Sequence, residues 1–296
     1  MKTVVLGAAA GGGLPQWNCG CQNCNDARSG VLPSMTQSSV AVSVDAERWV
    51  LLNASPDIGR QLMSTPQLHP RALRDTPIHA VVLTNGDIDH ITGLLTLREK
   101  TGFSVCATQS GLDILNSNSV FNVLDPTLVP KTRLVLDEPL EIAPGLTMTA
   151  FAVPGKVALF LEEEGNLDLK AMGEQTIGLI LESEAGKMAY IPGCADIPDW
   201  LLDRIGDVDV LLFDGTVWDD DDMPRTGAGQ KTGARMGHIA INGPYGSLAR
   251  LAPLKCRKIL IHVNNTNPIL QPASTERKCV EQAGWDIAFD GMEISL

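Results

Sequence analysis

The stretch that decides how this chain is read is Ile78-His79-Ala80-Val81-Val82-Leu83-Thr84-Asn85-Gly86-Asp87-Ile88-Asp89-His90-Ile91-Thr92-Gly93-Leu94. Residues 80–83 are continuously apolar, the signature of a strand buried on both faces. A loop rich in Asn, Asp and His follows, and a helix is predicted over 91–100. Asn85, Asp87, Asp89 and His90 thus gather at the C-terminal end of a buried strand, where side chains can point into one cleft and hold a cation. Oxygen and nitrogen donors of this kind suit Fe(II), Mn or Zn better than thiophilic Cu(I). The alternative reading of the same residues is an Asx-turn, with Asp89 capping the helix and His90 merely packed.

Outward from this loop, short β-branched runs alternate with helical stretches. Strands are predicted at 2–7, 39–44, 49–53, 78–84, 104–108, 132–136 and 146–153, then at 176–181, 188–192, 208–213 and 258–262. Helices are predicted at 57–63, 91–100, 111–116, 198–205, 238–251 and 275–283, with Pro198 as a first-turn proline. Two β-rich halves flanked by helices give an α/β class and an αββα sandwich with a pseudo-repeat. No stretch reads as an inter-domain linker, so residues 1–296 are expected to form one domain. The long loop at 219–236 reads as a lid or a disordered segment. Its Asp219–Asp222 run is expected to be solvated or paired with Arg225, Lys231 or Arg235.

The 296 residues are 44% hydrophobic and 20% charged, with a formal net charge of −12. A surface this acidic repels phosphate backbones and makes nucleic acid a poor partner. No apolar run approaches the ~20 residues that span a bilayer, and the start (Met1-Lys2-Thr3-Val4-Val5-Leu6-Gly7) is too short and too soon glycine-rich for a signal peptide. A cytoplasmic protein with no membrane segment is expected.

Three further features carry chemistry. Asp214-Gly215-Thr216 ends an apolar strand, Gly237-His238 follows the long loop, and His262 ends another buried strand. Three of only five histidines therefore sit at strand or helix ends. Of seven cysteines, Cys19, Cys21 and Cys24 cluster in a loop rich in Gly, Pro and Asn. Three thiolates at this spacing can take three corners of a tetrahedral zinc, a structural staple for residues 8–33; reduced surface cysteines are the alternative. Gly7-Ala8-Ala9-Ala10-Gly11-Gly12-Gly13 reads as a tight turn that could offer backbone N–H groups to an anion.

On these segments the chain resembles the pyrroloquinoline quinone (PQQ) biosynthesis protein B family of the metallo-β-lactamase superfamily. The carrying residues are Leu14-Pro15-Gln16-Trp17-Asn18-Cys19 with its cysteines, the Leu83–His90 loop, Phe213-Asp214-Gly215-Thr216-Val217-Trp218, Met236-Gly237-His238 and His262-Val263-Asn264-Asn265-Thr266-Asn267-Pro268. The resemblance implies a metallo-β-lactamase-like, four-layered αββα sandwich and a role in making or handling PQQ. It implies a catalytic Fe2+ or other divalent ion held by His90, His262 and Asp89, with Asp87, Asn85, Asp214 and His238 as further ligands or supports. It also implies a structural Zn2+ on Cys19, Cys21 and Cys24 with Asn265 at the fourth ligand's position. The partners implied are the Glu-Tyr-derived precursor, PQQ itself and other proteins of the pathway, and a homodimer is allowed.

Hydrolytic members of the superfamily carry histidines where this chain has Asn85 and Asp87. They carry another near Pro154-Gly155-Lys156, and a bridging aspartate near Gly193-Cys194-Ala195-Asp196. With those ligands gone, two ions about 3.5–4 Å apart around a hydroxide give way to two histidines and one carboxylate, the set used for O2 activation by Fe(II). The resemblance therefore implies hydroxylation of a tyrosine-derived PQQ precursor. The alternatives are a non-catalytic carrier of PQQ or its precursor that assists release or transport, and a residual metallohydrolase.

Overall fold

A computed structural model describes residues 1–162 and 168–296. Fourteen strands form two mixed sheets of seven. The first holds β1 (Lys2–Gly7), β2 (Ser39–Ser43), β3 (Trp49–Leu52), β4 (Ile78–Val82), β5 (Ser104–Ala107) and β6 (Lys131–Arg133). The second holds β7 (Pro139–Ala143), β8 (Leu146–Ala152), β9 (Ile177–Ser183), β10 (Gly186–Ile191), β11 (Val210–Asp214), β12 (Arg257–Ile261) and β13 (Trp285–Ile287). β14 (Glu293–Ser295) returns to the first sheet and pairs with β1, Thr3 opposite Ile294. Each sheet begins as an antiparallel meander and ends in parallel strands: β3–β4–β5–β6 in one, β10–β11–β12–β13 in the other. This is the expected pseudo-repeat.

Side-chain alternation explains why the sheets stack. Val5, Val50, Leu52, Ala80 and Val82 face the second sheet and pack with Met148, Leu179, Leu181 and Tyr190. Their neighbours in sequence, Val4, Leu6, Trp49, Leu51 and Val81, face the other way. Successive residues of a strand point to opposite faces, so strands apolar at every position need cover on both sides. Helices supply it. Ile58, Ile91, Leu112 and Leu115 close the outer face of the first sheet, while Leu201, Leu251 and Val280 belong to the core of the second.

The helices are α1 (Gln22–Arg28), α2 (Ile58–Ser64), α3 (Ile88–Ile91), α4 (Gln109–Ser117), α5 (Asp199–Arg204), α6 (Asp222–Thr226), α7 (Gly233–Met236), α8 (Ser247–Arg250) and α9 (Thr275–Gln282). Two of the expected helices are much shorter than the sequence suggested. The helix expected over 91–100 is the single turn α3 followed by a 3-10 turn at Thr92–Leu95. Gly93 lies against the Ala54–Ser55 backbone and donates its N–H to Ala54 O at 2.9 Å instead of continuing the helical ladder. The helix expected over 238–251 shrinks to α8. Backbone N–H groups there bond sideways, His238 to Gly233 O, Ile239 to Cys194 O and Ile241 to Val217 O, and Gly243 sits at φ 88°. Strands β7, β13 and β14 had no counterpart in the reading of the sequence, being short and part-polar. Pro198 is the N-cap of α5 rather than its first residue, and segment 219–236 carries α6 and α7. No described helix is long and apolar enough to cross a membrane.

Candidate metal centre and active-site cavity

The C-terminal ends of β4, β11 and β12 open onto one cavity of about 240 Å3. Asp89, His90, His238 and His262 line it, with Asn85 and Asp87. The loop after β4 is shaped by its own polar groups. Asn53, held at φ 64°, accepts from Thr84 N at 2.9 Å and donates to Thr84 Oγ1 at 2.9 Å. Asn85 Oδ1 accepts from Asp87 N at 3.0 Å and from His90 Nδ1 at 2.7 Å. Only an oxygen can accept both, which fixes the amide orientation and puts the His90 proton on Nδ1. His90 Nε2 is then a lone-pair donor. It is fully buried and has no hydrogen-bond partner.

That orphan is the feature a hydrogen-bond account of the protein leaves over, because buried polar atoms are nearly always satisfied. Asp89 Oδ2 lies 3.8 Å from His90 Nε2 and 3.1 Å from His262 Nε2. The His90 and His262 rings meet edge to face with centroids 5.4 Å apart. Nitrogens and a carboxylate oxygen within 4.8 Å of one another form a group that could hold an ion. Burial would raise the Asp89 carboxyl, but the charges of His90 and His262 and the His262 hydrogen bond outweigh it and hold it well below the usual range. Burial lowers His90 against the opposing pull of Asp89. Burial also works against a charged His262, yet the hydrogen bond and charge of Asp89 and the charge of Asp214 raise it overall. A carboxylate and two imidazoles so disposed suit a divalent cation, which would take over the role the His262 proton plays here.

His262 has φ 61°, a left-handed conformation unusual for a non-glycine residue and held only where the surroundings enforce it. Thr216 provides part of that enforcement. Its Oγ1 donates to Asp214 Oδ1 at 2.7 Å and accepts from His262 Nδ1 at 2.9 Å. Asp214, wholly buried, also accepts from His238 Nδ1 at 2.7 Å and from Cys194 N at 2.9 Å through Oδ2. Burial would raise Asp214, but His238 beside it lowers it. The His238 and His262 rings stack at 5.2 Å. His238 is carried by a loop, not by the start of a helix, and Gly237 before it is the left-handed cap of α7.

Among the expected site residues, Asp89, His90 and His262 come together, and buried Asp214 pairs with the partly exposed His238 beside them. Asn85 spends its oxygen orienting His90 instead of facing an ion. Asp87 lines the cavity and accepts from Leu159 N at 3.2 Å. Asp196, at the position of a bridging aspartate in hydrolytic relatives, lies outside: it is half-exposed and pairs with Lys170 Nζ at 2.8 Å. Thr216, Asn53 and Lys156 had no role in the sequence reading, and Lys231 was expected only as a possible partner of the Asp219–Asp222 run, which pairs with Arg225 instead; both lysines line the cavity. Thr216 was legible as a strand-end neighbour of Asp214; the two lysines carried no signal, because only the fold brings them to the cleft.

The cysteine loop forms a second centre. The sulfurs of Cys19, Cys21 and Cys24 lie within 4.8 Å of one another and none is in a disulfide. Asn265 covers their remaining side, its Nδ2 donating to Cys19 Sγ at 3.1 Å and Cys24 Sγ at 3.2 Å. In this orientation the Asn265 amide nitrogen, and not its oxygen, faces the sulfurs. Burial raises the Cys21 thiol to about 11, whereas hydrogen bonds within the cluster lower Cys19 against its burial. Three converging sulfurs of this kind match a thiolate zinc site. Arg28 ties the loop by donating to Cys19 O and Gln16 O at 2.6 Å each.

Residues 48–263 match the β-lactamase superfamily domain. The chain is 54% identical over its full length to the coenzyme PQQ synthesis protein B of Ruegeria pomeroyi, and 52% identical to that of Methylorubrum populi, covering 100% of each. Its fold matches the crystal structure of Zn2+-bound PqqB from Methylobacterium extorquens with a TM-score of 0.98 at 51% identity, covering all of both chains. A diphosphatase of the PhnP family (TM-score 0.71, 20% identity, 100% of this chain and 97% of that one) and human tRNase Z short form (TM-score 0.61, 15% identity, 100% and 99%) share the fold. The architecture is thus the metallo-β-lactamase fold.

Proposed function

The chain belongs to the coenzyme PQQ synthesis protein B family of the β-lactamase superfamily, and from that premise we propose that it is an Fe(II)-dependent, O2-using enzyme that hydroxylates a tyrosine-derived precursor of PQQ. One observation carries this reading: the orphaned His90 Nε2 faces Asp89 Oδ2 at 3.8 Å, and the same oxygen lies 3.1 Å from His262 Nε2. Two imidazoles and one carboxylate beside an open cavity are the donor set of non-haem Fe(II) oxygenases. An iron ion there would supply a Lewis-acidic, redox-active centre with positions free for O2.

The chain's own residues supply the rest. Asn85 fixes the His90 ring, and Thr216 fixes His262, so neither imidazole has to reorient when an ion enters. Asp214 holds His238 through Nδ1, leaving Nε2 to take the proton of a substrate phenol. Leu159 and Met236 cover the cavity beside these groups, and the 219–236 segment acts as the cover that keeps water out. The reaction exchanges an aryl C–H for C–OH with one atom of O2; the other leaves as water, with two protons and two electrons from an external reductant. Cys19, Cys21 and Cys24 hold a structural zinc away from this chemistry.

A hydrolytic reading is disfavoured by Asn85 and Asp87 and by the outward-facing Asp196. Anaerobic loading with Fe(II), then addition of O2, a reductant and glutamyl-tyrosine, should yield a product heavier by one oxygen atom. Binding without turnover under the same conditions would mean a carrier. Zn-dependent cleavage of a phosphodiester would mean a hydrolase.

A further inference from the structure

The carboxylates and imidazoles of the cavity leave one opposing group unexplained. Lys156 and Lys231 line the same space, on the β8–β9 connection and on the segment between α6 and α7. In a chain of net charge −12, two ammonium groups beside an ion site are not background.

Their surroundings set what they can do. Lys156 Nζ pairs with Glu162 at 3.0 Å, and Arg235 grips the same carboxylate through Nη2 at 2.7 Å and Nη1 at 3.2 Å. Two cations on one carboxylate leave a net positive charge of one. The Arg235 hydrogen bonds, against a small burial penalty and with help from Lys156, pull the Glu162 carboxyl down to about 2, so the cluster stays ionised. An ammonium has three donors. Glu162 uses one and Val157 O, at 3.2 Å, a second, so Lys156 keeps one for the cavity. Its stem is pinned against Gly237, where an added Cβ would lie 3.1 Å from Lys156 Cγ. The Lys156 side chain is only 9% exposed. Lys231 is half-buried and lines the cavity.

We propose that Lys156 and Lys231 are the specificity groups of this site, binding two carboxylates of the substrate and restricting it to small dicarboxylic phenols. The inference rests on the substrate-pocket reading above. The surplus positive charge of the Lys156–Arg235–Glu162 cluster and the ammonium of Lys231 match two carboxylates, and in a narrow low-dielectric cleft such pairs are stronger than on open surface. Lys156 acts as the fixed anchor. Lys231, on the cover segment, closes on the second carboxylate and so couples binding to closure.

Binding to the zinc-loaded protein tests this without turnover, using glutamyl-tyrosine (two carboxylates) and tyramine (none) as probes in calorimetric titrations. The expected result for wild type is dipeptide binding at least about ten-fold tighter than tyramine, weakening as salt rises. Lys231→Met and Lys156→Met should each weaken the dipeptide by about ten-fold while leaving tyramine within two-fold. Lys156→Arg, which keeps the charge and the Glu162 pair, should retain most of the affinity and guards against a folding defect in Lys156→Met. Equal dipeptide affinity in wild type and both methionine variants overturns the proposal and leaves the iron-enzyme reading intact, as does equal loss of both probes. Wild-type protein that binds neither probe overturns the substrate-pocket reading as well.

Discussion

His262 shows what a single residue contributes when its backbone is held in a conformation it would not choose. At φ 61° it is retained by Thr216, whose hydroxyl accepts from His262 Nδ1 at 2.9 Å and shares its one proton between Asp214 Oδ1 at 2.7 Å and His262 O at 3.0 Å. Thr216→Val keeps the shape and removes those bonds. It should lower metal affinity at the His90–His262–Asp89 centre by about 10–100-fold, in line with other groups that orient metal ligands, as read by competition with a chromophoric chelator. Glu162→Gln tests a second residue. The wild-type carboxyl sits near 2 against an ordinary 4.5, so its stabilising contribution is complete above about pH 4.5 and fades as pH falls towards 2. The variant should be less stable than wild type by about 1–2 kcal/mol at pH 7, a discount from the full shift for partial solvent screening. That gap should narrow in urea melts as pH falls from 4.5 towards 2. At this scale the sequence was informative about residue types and poor about their tasks. Asp89, His90 and His262 were legible because polar residues ended apolar strands. The orienting task of Asn85 was not, because it depends on where the His90 ring lies.

Among the elements, the loops do more than the helices. Strands β1 to β5 and β8 to β12 follow from β-branched and apolar runs, and their positions were legible to within a few residues. Helices were read less well where loop backbone found partners elsewhere. Gly93, whose added Cβ would collide with Ser55 O, gives its N–H to Ala54 O and ends the helical ladder after one turn of α3. The loop before α1 is held by the three cysteines, with Arg28 and Asn265 around it. Cys24→Ser should release its zinc to a chelator under conditions where wild type retains it. It should also open the cysteine turn to limited proteolysis, because the metal's binding free energy contributes to holding that turn folded. Since Asn265 is three residues from His262, the variant should also weaken metal binding in the cavity, though by less than Thr216→Val.

At the scale of the molecule, the two sheets are joined by a shared core and by the return of β14 to the edge of β1. Met1 donates its terminal ammonium to Leu296 O at 3.1 Å, and Ala8 and Thr36 donate to Asp290 just before β14. Deleting residues 293–296 would expose the edge of β1 and uncover Val4 on the outer face. Unpaired edges invite pairing between copies, so the truncated chain should melt several degrees lower and associate at high concentration in light scattering. By itself the sequence determined the α/β class, the doubled β-rich plan and the family, and it marked Asp89, His90, His262 and the three cysteines. Those follow from local periodicity and from residue types at strand ends, which are properties of neighbouring positions. Only the tertiary structure decided that β4, β11 and β12 end at one cavity, that Asp196 faces away from it, and that Lys156 and Lys231 face into it. Such juxtapositions join residues up to 173 positions apart, as in the Asp89–His262 contact, and no local pattern encodes a distance that arises from packing two sheets face to face.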